Sequence, residues 1–339
     1  MKALRLKAPG TAVIEDVPEP EVKPGEALLR VRRVGLCGSD LNSFRGRNPM
    51  VSFPRIPGHE IAATIVNIKQ STTELLAGMD VTVLPYTNCG QCAACRNNRS
   101  NACQFNQTMG VQRDGALTEY ISVAVDKLYP ARLNLQELCL VEPLTVGFHA
   151  VARARVAEKD TVAILGCGGV GLGAVAAAAF RGAKTIAVDI DDGKLDTARQ
   201  AGAIYAVHSQ RQDLNAALAE LTGGTGPCVV IEAIGSSQTF RAAVEVVAFT
   251  GRVVYIGYAK EPVSYETKLF VQKELDIMGT RNAQPEDFRS VIAMLEQGRF
   301  PVESAVSAVI PLEEAPRIFE TWSAAPNRFT KIMITMDEA

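Results

Sequence analysis

The stretch from Thr161 to Asp189, TVAILGCGGVGLGAVAAAAFRGAKTIAVD, constrains the fold more than any other part of the sequence. A short apolar run, Val162 to Leu165, suits a buried parallel strand. Gly166, Gly168 and Gly171 follow at G-x-G-x-x-G spacing, with Gly169 and Val170 inside the turn. Small residues from Leu172 to Phe180 predict a helix lying close on a sheet, and Thr185 to Val188 predict a second strand ending in Asp189. Strand, glycine turn, helix, strand and acid together form the setting in which this spacing binds a dinucleotide. The first glycine permits the tight turn, the second admits the pyrophosphate, and the third lets helix and strand approach. The helix N-terminal N–H groups then face the phosphates. Asp189 can accept hydrogen bonds from the adenosine ribose and repel a 2′-phosphate, so NAD is expected rather than NADP. Ile190 stands where an NADP site would call for a basic residue, and Lys194 joins the predicted cofactor-binding set.

A membrane span is the rival reading, because Thr161 to Phe180 carries no charge before Arg181 and Gly169 and Gly173 form a GxxxG. The glycines crowded between Gly166 and Gly173 would weaken such a helix badly, and no second span accompanies it. No membrane partner is expected. A net charge of −2 gives no electrostatic reason to bind nucleic acid. At 339 residues the chain exceeds one ordinary core, so two domains are expected. The opening MKALRLKAPG lacks the apolar centre of a secretory signal, and a cytoplasmic protein is expected. In that setting eight cysteines point to metal ligands or core thiols rather than disulfides.

Before about residue 140 the texture is of short strands and frequent turns: Met1–Lys7, Ala12–Glu15, Glu26–Val34, Ile61–Ile68, Asp80–Leu84 and Leu117–Val123. Beyond Glu142 strands and helices alternate, beginning with a helix over Phe148–Ala157. With the two strands of the fingerprint, the runs Ala203–Val207, Val229–Glu232, Arg252–Ile256 and Leu275–Met278 make six, a complete doubly wound domain. A helix over Pro285–Gln297 and a closing strand over Thr330–Met336 follow, and that strand is expected to rejoin the first domain.

The loops of the first domain carry the metal chemistry. Cys89, Cys92, Cys95 and Cys103 have ligand spacing, and four thiolates close a tetrahedral zinc site with no place for substrate. A redox role would need only two of them. Cys37, His59 and an acid near the domain junction, Glu142, supply thiolate, imidazole and carboxylate, a mixed set suited to a zinc that keeps an open position. Each alone would read as structural. Cys139, Cys167 and Cys228 sit in apolar surroundings and read as core.

With GLCGSD, PGHE, the four-cysteine lobe, VEPL and GCGGVG in this order, the chain resembles the zinc-containing medium-chain dehydrogenases from end to end. Glu142, where ethanol-type members place a cysteine, makes it most similar to the polyol, sorbitol and sugar-acid branch. Gly279–Phe288 is similar to the matching segment of bacterial L-galactonate (L-gulonate) 5-dehydrogenases. The resemblance implies an α/β protein with a GroES-like β-rich catalytic domain, residues 1–143 with 284–339, and a Rossmann NAD-binding domain, residues 144–283. It implies two zinc ions per chain, one structural and one catalytic. Cys37 and His59 would ligate the catalytic ion. Glu60 and Glu142 would complete the set, one bound directly and the other through the zinc water, in an order the sequence leaves open. Ser39 would hydrogen-bond the reacting alcohol, and Arg281 and Asn282 would line the substrate pocket. The relay histidine common in relatives is here Asn42, which does not titrate near neutral pH.

The resemblance further implies an NAD-dependent oxidoreductase for a secondary alcohol of a sugar acid or polyol, acting as a homo-oligomer, dimer or tetramer. A sorbitol- or xylitol-type enzyme and an L-threonine or butanediol dehydrogenase are the alternatives within the family. Two further classes are disfavoured. Quinone-reductase-like or lens-type relatives lack both zinc motifs, and a zinc-ribbon nucleic-acid binder would need basic charge and an aromatic platform.

Overall fold

Two short strands open the chain, β1 (Lys2–Ala8) and β2 (Thr11–Asp16), paired antiparallel with Lys2 opposite Asp16. In β3 (Glu26–Leu36) burial alternates through Ala27, Leu29 and Val31. A register shift between Val31 and Arg33 then breaks the alternation, so that Val34, Gly35 and Leu36 are all buried. The chain continues through α1 (Gly38–Phe44), β4 (Glu60–Ile68), β5 (Asp80–Val83), α2 (Ala93–Arg96), β6 (Tyr120–Ala124), β7 (Leu128–Pro130) and α3 (Leu135–Arg153). Next come β8 (Thr161–Leu165), α4 (Gly169–Phe180), β9 (Lys184–Asp189), α5 (Asp192–Gln200), β10 (Tyr205–His208) and α6 (Leu214–Leu221). They are followed by β11 (Val229–Glu232), α7 (Ser237–Val246), β12 (Arg252–Tyr255), α8 (Lys268–Gln272), β13 (Asp276–Gly279) and α9 (Pro285–Glu296). The last elements are α10 (Val302–Ala305), β14 (Ala308–Pro311), α11 (Ala315–Ala324) and β15 (Ile332–Thr335).

This computed structural model describes residues 1–336. Contacts divide the chain into two units, Met1–Glu142 with Val302–Ala339, and Pro143–Pro301. The first holds the β1-β2 pair and a seven-stranded sheet in the order β14-β15-β3-β4-β5-β7, with β6 also on β3. Leu4, Leu29, Ile61, Ile65, Leu117 and Phe319 are among its core residues. Thr335 pairs with Arg33, so the C-terminal strand returns to the first unit.

The second unit is a six-stranded parallel sheet in the order β10-β9-β8-β11-β12-β13. In sequence terms that is 3-2-1-4-5-6, and the order reverses between β8 and β11, where doubly wound folds bind ligands. The uncharged stretch from Thr161 is β8 followed by a short helix. Among the described residues no helix is long and apolar enough to cross a membrane.

Three expectations need correction. The helix expected to start at Phe148 starts at Leu135 and runs through Pro143. Leu138, Val141, Leu144, Phe148 and Val151 recur at helical spacing and are all buried. At about 1.5–3 kcal/mol each, their burial outweighs the roughly 3 kcal/mol that an interior proline costs. The second unit also extends past the expected boundary at 283 to Pro301, taking α9 with it. Phe288 and Val291 of that helix are fully buried, and its Asp287 bonds His149 of the same unit. Residues 337–339 of the range assigned to the catalytic domain lie outside the described residues. Finally, β14 was not expected; it is four residues long and pairs parallel with β15.

Candidate active site

The first candidate metal centre is built by a loop with little regular structure of its own. Cys89, Cys92, Cys95 and Cys103 bring their sulfurs within 4.8 Å of one another, and all four are free thiols. Cys92 Sγ lies 3.5 Å from Cys95 Sγ and 3.8 Å from Cys103 Sγ, beyond any disulfide. Backbone N–H groups converge on them: Cys92 N on Cys89 Sγ, and Cys89 N and Phe105 N on Cys103 Sγ, each at 3.3 Å. Backbone hydrogen bonds also pull the Cys92 thiol down to about 6, toward the thiolate a metal requires. Four convergent sulfurs with thiolate-favouring N–H groups fit a closed tetrahedral zinc.

The second centre is assembled from three chain segments. The extended Cys37 caps α1, and its backbone N–H donates to Asp40 Oδ2 at 2.9 Å. Gly58 turns the chain at φ +99°, and its N–H donates to Asp40 Oδ1 at 3.3 Å. A Cβ at Gly58 would meet Val34 Cγ1 at 2.7 Å. One fully buried carboxylate, Asp40, therefore fastens the Cys37 and His59 loops together and lies 3.9 Å from His59 Nδ1. The next residue, Glu60, starts β4 opposite Gly35, where a Cβ would stand 2.0 Å from Glu60 Oε2. Only glycine leaves room for that carboxylate.

Cys37, His59 and Glu60 have ligand atoms within 4.8 Å of one another. Glu142, on α3, does not join that group; it is buried and accepts a hydrogen bond from the Tyr86 hydroxyl. Glu60 is gripped by Lys331 of the segment leading into β15, whose Nζ stands 2.5 and 2.6 Å from its two oxygens and 3.3 Å from Leu36 O. Burial raises the Asp40 and Glu142 carboxyls above their ordinary range. Burial alone would depress His59, but Asp40, Cys37 and Glu142 outweigh it and hold the imidazole well above its usual value. The cluster thus concentrates anionic groups around a buried imidazole whose Nδ1 has no hydrogen-bond partner. A divalent cation fits the converging thiolate, imidazole and carboxylate and their excess negative charge.

Ser39, in the first turn of α1, has a buried Oγ without a hydrogen-bond partner. Asn42 is exposed. Asp40, Tyr86 and Lys331 were not singled out from sequence. Asp40 could have been, since it closes the Cys37 motif as an acid beside a capping position. Tyr86 and Lys331 carry no local signal, because only the folded sheet brings them to the two glutamates. Arg45, just after α1, is committed to Ser323, its Nε donating to Oγ at 3.0 Å and its terminal nitrogen to the carbonyl. Arg47 is exposed. Of the leftover cysteines, Cys139 and Cys167 are buried as expected, whereas Cys228 is half-exposed.

In the second unit Gly166 adopts φ +95°, and a Cβ on Gly171 would fall 1.8 Å from Gly166 O. Gly168 caps α4 with open space at its Cα, so a pyrophosphate can approach there, and Gly169 and Val170 form the first turn. Asp189 braces this turn: Oδ2 accepts from Cys167 N at 2.7 Å, and Oδ1 from Ile190 N at 2.7 Å and Asp191 N at 3.2 Å. A carboxylate has about four acceptor sites, so capacity remains for a ribose hydroxyl. Lys194 is half-buried, with its backbone N–H capped by Asp191. Arg281 and Asn282 lie in the loop between β13 and α9, in this same unit, whereas the metal donors and Ser39 belong to the first unit.

Comparison with known proteins agrees with both halves. Residues 23–132 match the alcohol dehydrogenase GroES-like domain, and residues 169–297 match the zinc-binding dehydrogenase domain. The chain belongs to the zinc-type alcohol dehydrogenases, and it is an oxidoreductase whose cofactors are zinc and a nicotinamide dinucleotide. It is 33% identical to L-galactonate-5-dehydrogenase of Escherichia coli K12 over 87% of each chain. It is also 33% identical to sorbitol dehydrogenase of Bacillus subtilis, over 98% of this chain and 97% of that one. Among solved structures, the alcohol dehydrogenase RspB of E. coli CFT073, in complex with NADH, superposes with a TM-score of 0.91 at 26% identity over 99% of both chains.

Proposed function

We propose that the chain catalyses NAD-dependent interconversion of a secondary alcohol and its ketone in a polyol or sugar acid. The observation that carries this reading is the Cys37, His59 and Glu60 donor cluster, with a second carboxylate, Glu142, beside it. A set rich in carboxylates leaves a harder, more oxygen-tolerant centre than a second cysteine would, which suits a hydroxyl-rich substrate. Cys37, His59 and a carboxylate would hold the zinc, which when bound would supply Lewis acidity toward the alcohol oxygen.

The remaining tasks fall to the chain's own residues. Ser39 Oγ takes the hydroxyl proton, and because the exposed Asn42 cannot titrate, that proton passes to water. Asp40 holds the Cys37 and His59 loops in register through Cys37 N and Gly58 N. Lys331 neutralises Glu60, and Tyr86 fixes one oxygen of Glu142. Glu60 and Glu142 would complete the metal site between them, Glu60 lying with Cys37 and His59 and Glu142 held by Tyr86. The Cys89, Cys92, Cys95 and Cys103 set is the structural site. Gly166, Gly168, Gly169, Val170, Gly171, Asp189 and Lys194 bind the dinucleotide, and Arg281 and Asn282 meet the substrate.

A panel of sorbitol, xylitol, L-galactonate, L-gulonate, L-threonine and butanediol, assayed by reduction of NAD, tests the reading. Turnover confined to the last two would overturn it. Relatives named for L-galactonate and sorbitol at equal identity support testing both sugar acids and polyols. For the cofactor, Asp189→Ala removes ribose hydrogen bonds and a repulsive charge together. It should weaken NAD about tenfold or more while changing NADP little. A wild-type protein that already prefers NADP would contradict this assignment.

A further inference from the structure

His149 of α3 and Asp287, in the first turn of α9, are 6% and 7% exposed, and Nδ1 lies 2.8 Å from Oδ2. That same oxygen accepts the backbone N–H of Gln284 at 2.8 Å, completing the cap of α9. An ionised carboxylate can only accept, so the imidazole carries its proton on Nδ1. A helix cap alone needs no such partner; Gln284 N–H would satisfy it, usually near water. Burying an imidazole and a carboxylate together costs desolvation that an apolar pair would avoid, and what it gains is a fixed geometry.

The geometry fixed here is that of the short loop from Thr280 to Gln284. Its first residue is tied to the sheet by Thr280 N donating to Tyr255 O at 3.1 Å. Its last is tied to Asp287, and between them Asn282 sits at φ +52°, a left-handed conformation that persists where the surroundings enforce it. The helix that supplies His149 is itself clamped to the fingerprint helix. A Cβ on Gly147 would stand 2.2 Å from Ala174 N, and one on Gly173 would stand 2.9 Å from Leu144 O. Backbone contact between α3 and α4, then the imidazole–carboxylate bond, then the cap of α9 form one continuous connection within this unit.

We propose that His149 is a positioning residue: through Asp287 it latches the Thr280–Gln284 loop to the α3–α4 pair, so that the body gripping the dinucleotide also sets the placement of Arg281 and Asn282. The link to substrate rests on the reading that this loop meets it. The latch itself does not.

The test compares His149→Leu, which removes the donor, with His149→Asn, which returns a side-chain N–H near the Nδ1 position. Both are made in the zinc-loaded protein. Three quantities are read: amide hydrogen exchange across Thr280–Gln284, NADH affinity by fluorescence titration, and kcat and KM with the better substrate of sorbitol and L-galactonate. His149→Leu should raise loop exchange and raise substrate KM by about tenfold, as loss of orientation does. NADH affinity should stay within about twofold and kcat within about threefold. His149→Asn should recover most of both losses. Unchanged loop exchange in a folded His149→Leu protein overturns the latch. So does a parallel loss of NADH affinity, which marks a general packing role. Raised exchange with unchanged KM overturns the link to substrate. If Arg281→Ala then also spares KM, the failure belongs to the reading that this loop meets substrate. If His149→Leu does not fold, Asp287→Asn, which keeps an acceptor for Gln284 N–H, is read by the same three measurements and the same outcomes.

Discussion

On the proposed function, Arg281 is the residue that would decide between an acid and a neutral polyol. A guanidinium fork matches a carboxylate bidentately, in a way lysine does not reproduce. If the substrate is a sugar acid, Arg281→Ala should cost the hexonate about 2–3 kcal/mol in kcat/KM and the matching hexitol much less. Equal losses on both would favour a neutral polyol. Lys331 makes a second prediction. Its ammonium is buried with both oxygens of Glu60, so Lys331→Met leaves that carboxylate without its protein cation. Breaking a buried pair on one side costs about 3–5 kcal/mol. Denaturant unfolding of the zinc-free protein should register that loss, and adding Glu60→Gln should recover most of it. A single variant as stable as wild type would show that Lys331 is not what compensates Glu60. Residues of this kind explain the limit of a sequence reading. Cys37 and His59 read as metal donors only in combination with each other and an acid, and Glu60 entered through the family resemblance. Lys331 and Tyr86 are ordinary residues until strand pairing places them at the glutamates.

Among the elements, the cysteine lobe depends most on its ligand. Its loop carries only the four-residue helix α2, and Cys89 and Cys95 are only partly buried, so little apolar burial holds it together. Cys89→Ser or Cys92→Ser should therefore lower Tm by several degrees and expose the loop to proteolysis, because binding free energy at a closed thiolate site is folding free energy. Unchanged Tm with the lobe's zinc lost would show that the lobe folds without it. The lobe was legible because ligand spacing is local. The fingerprint was legible for the same reason, and its geometric grounds lie in Gly166 at φ +95° and Gly171 against Gly166 O. The start of α3 was not, since Pro143 is a local signal and the burial that overrides it is not. The boundary placed at 283 missed for a related reason. What assigns α9 to the second unit is the burial of Phe288 and Val291 and the Asp287–His149 bond, none of which a linear pattern displays.

At the scale of the whole molecule, the active-site cluster ties stability to both metal and pH. Burial holds Asp40 and Glu142 above their ordinary values of 3.8 and 4.5, and the surrounding anions hold His59 well above 6.5 despite its burial. For all three groups the folded, metal-free chain binds protons more tightly than the unfolded chain. For the imidazole, the stabilisation is complete below its ordinary value and is lost as pH rises through the raised one. For the carboxyls, the penalty of ionising in the fold grows as pH rises above their ordinary values. All three effects have the same sign, so this cluster's contribution to the stability of the metal-free protein should fall as pH rises from about 4 through neutrality. Zinc replaces the missing protons with a fixed positive charge, so the holoprotein should escape most of that loss. The Tm gap between zinc-loaded and chelated protein should therefore widen as pH is raised from about 5 to about 8. The four-cysteine lobe adds its own pH dependence, because its thiols must also deprotonate to bind metal. Repeating the series on His59→Ala keeps the lobe and removes the imidazole, and the difference between the two series isolates the active-site term. That difference should grow with pH. A difference flat with pH would mean that the buried anions around His59 find their compensation elsewhere in the protein.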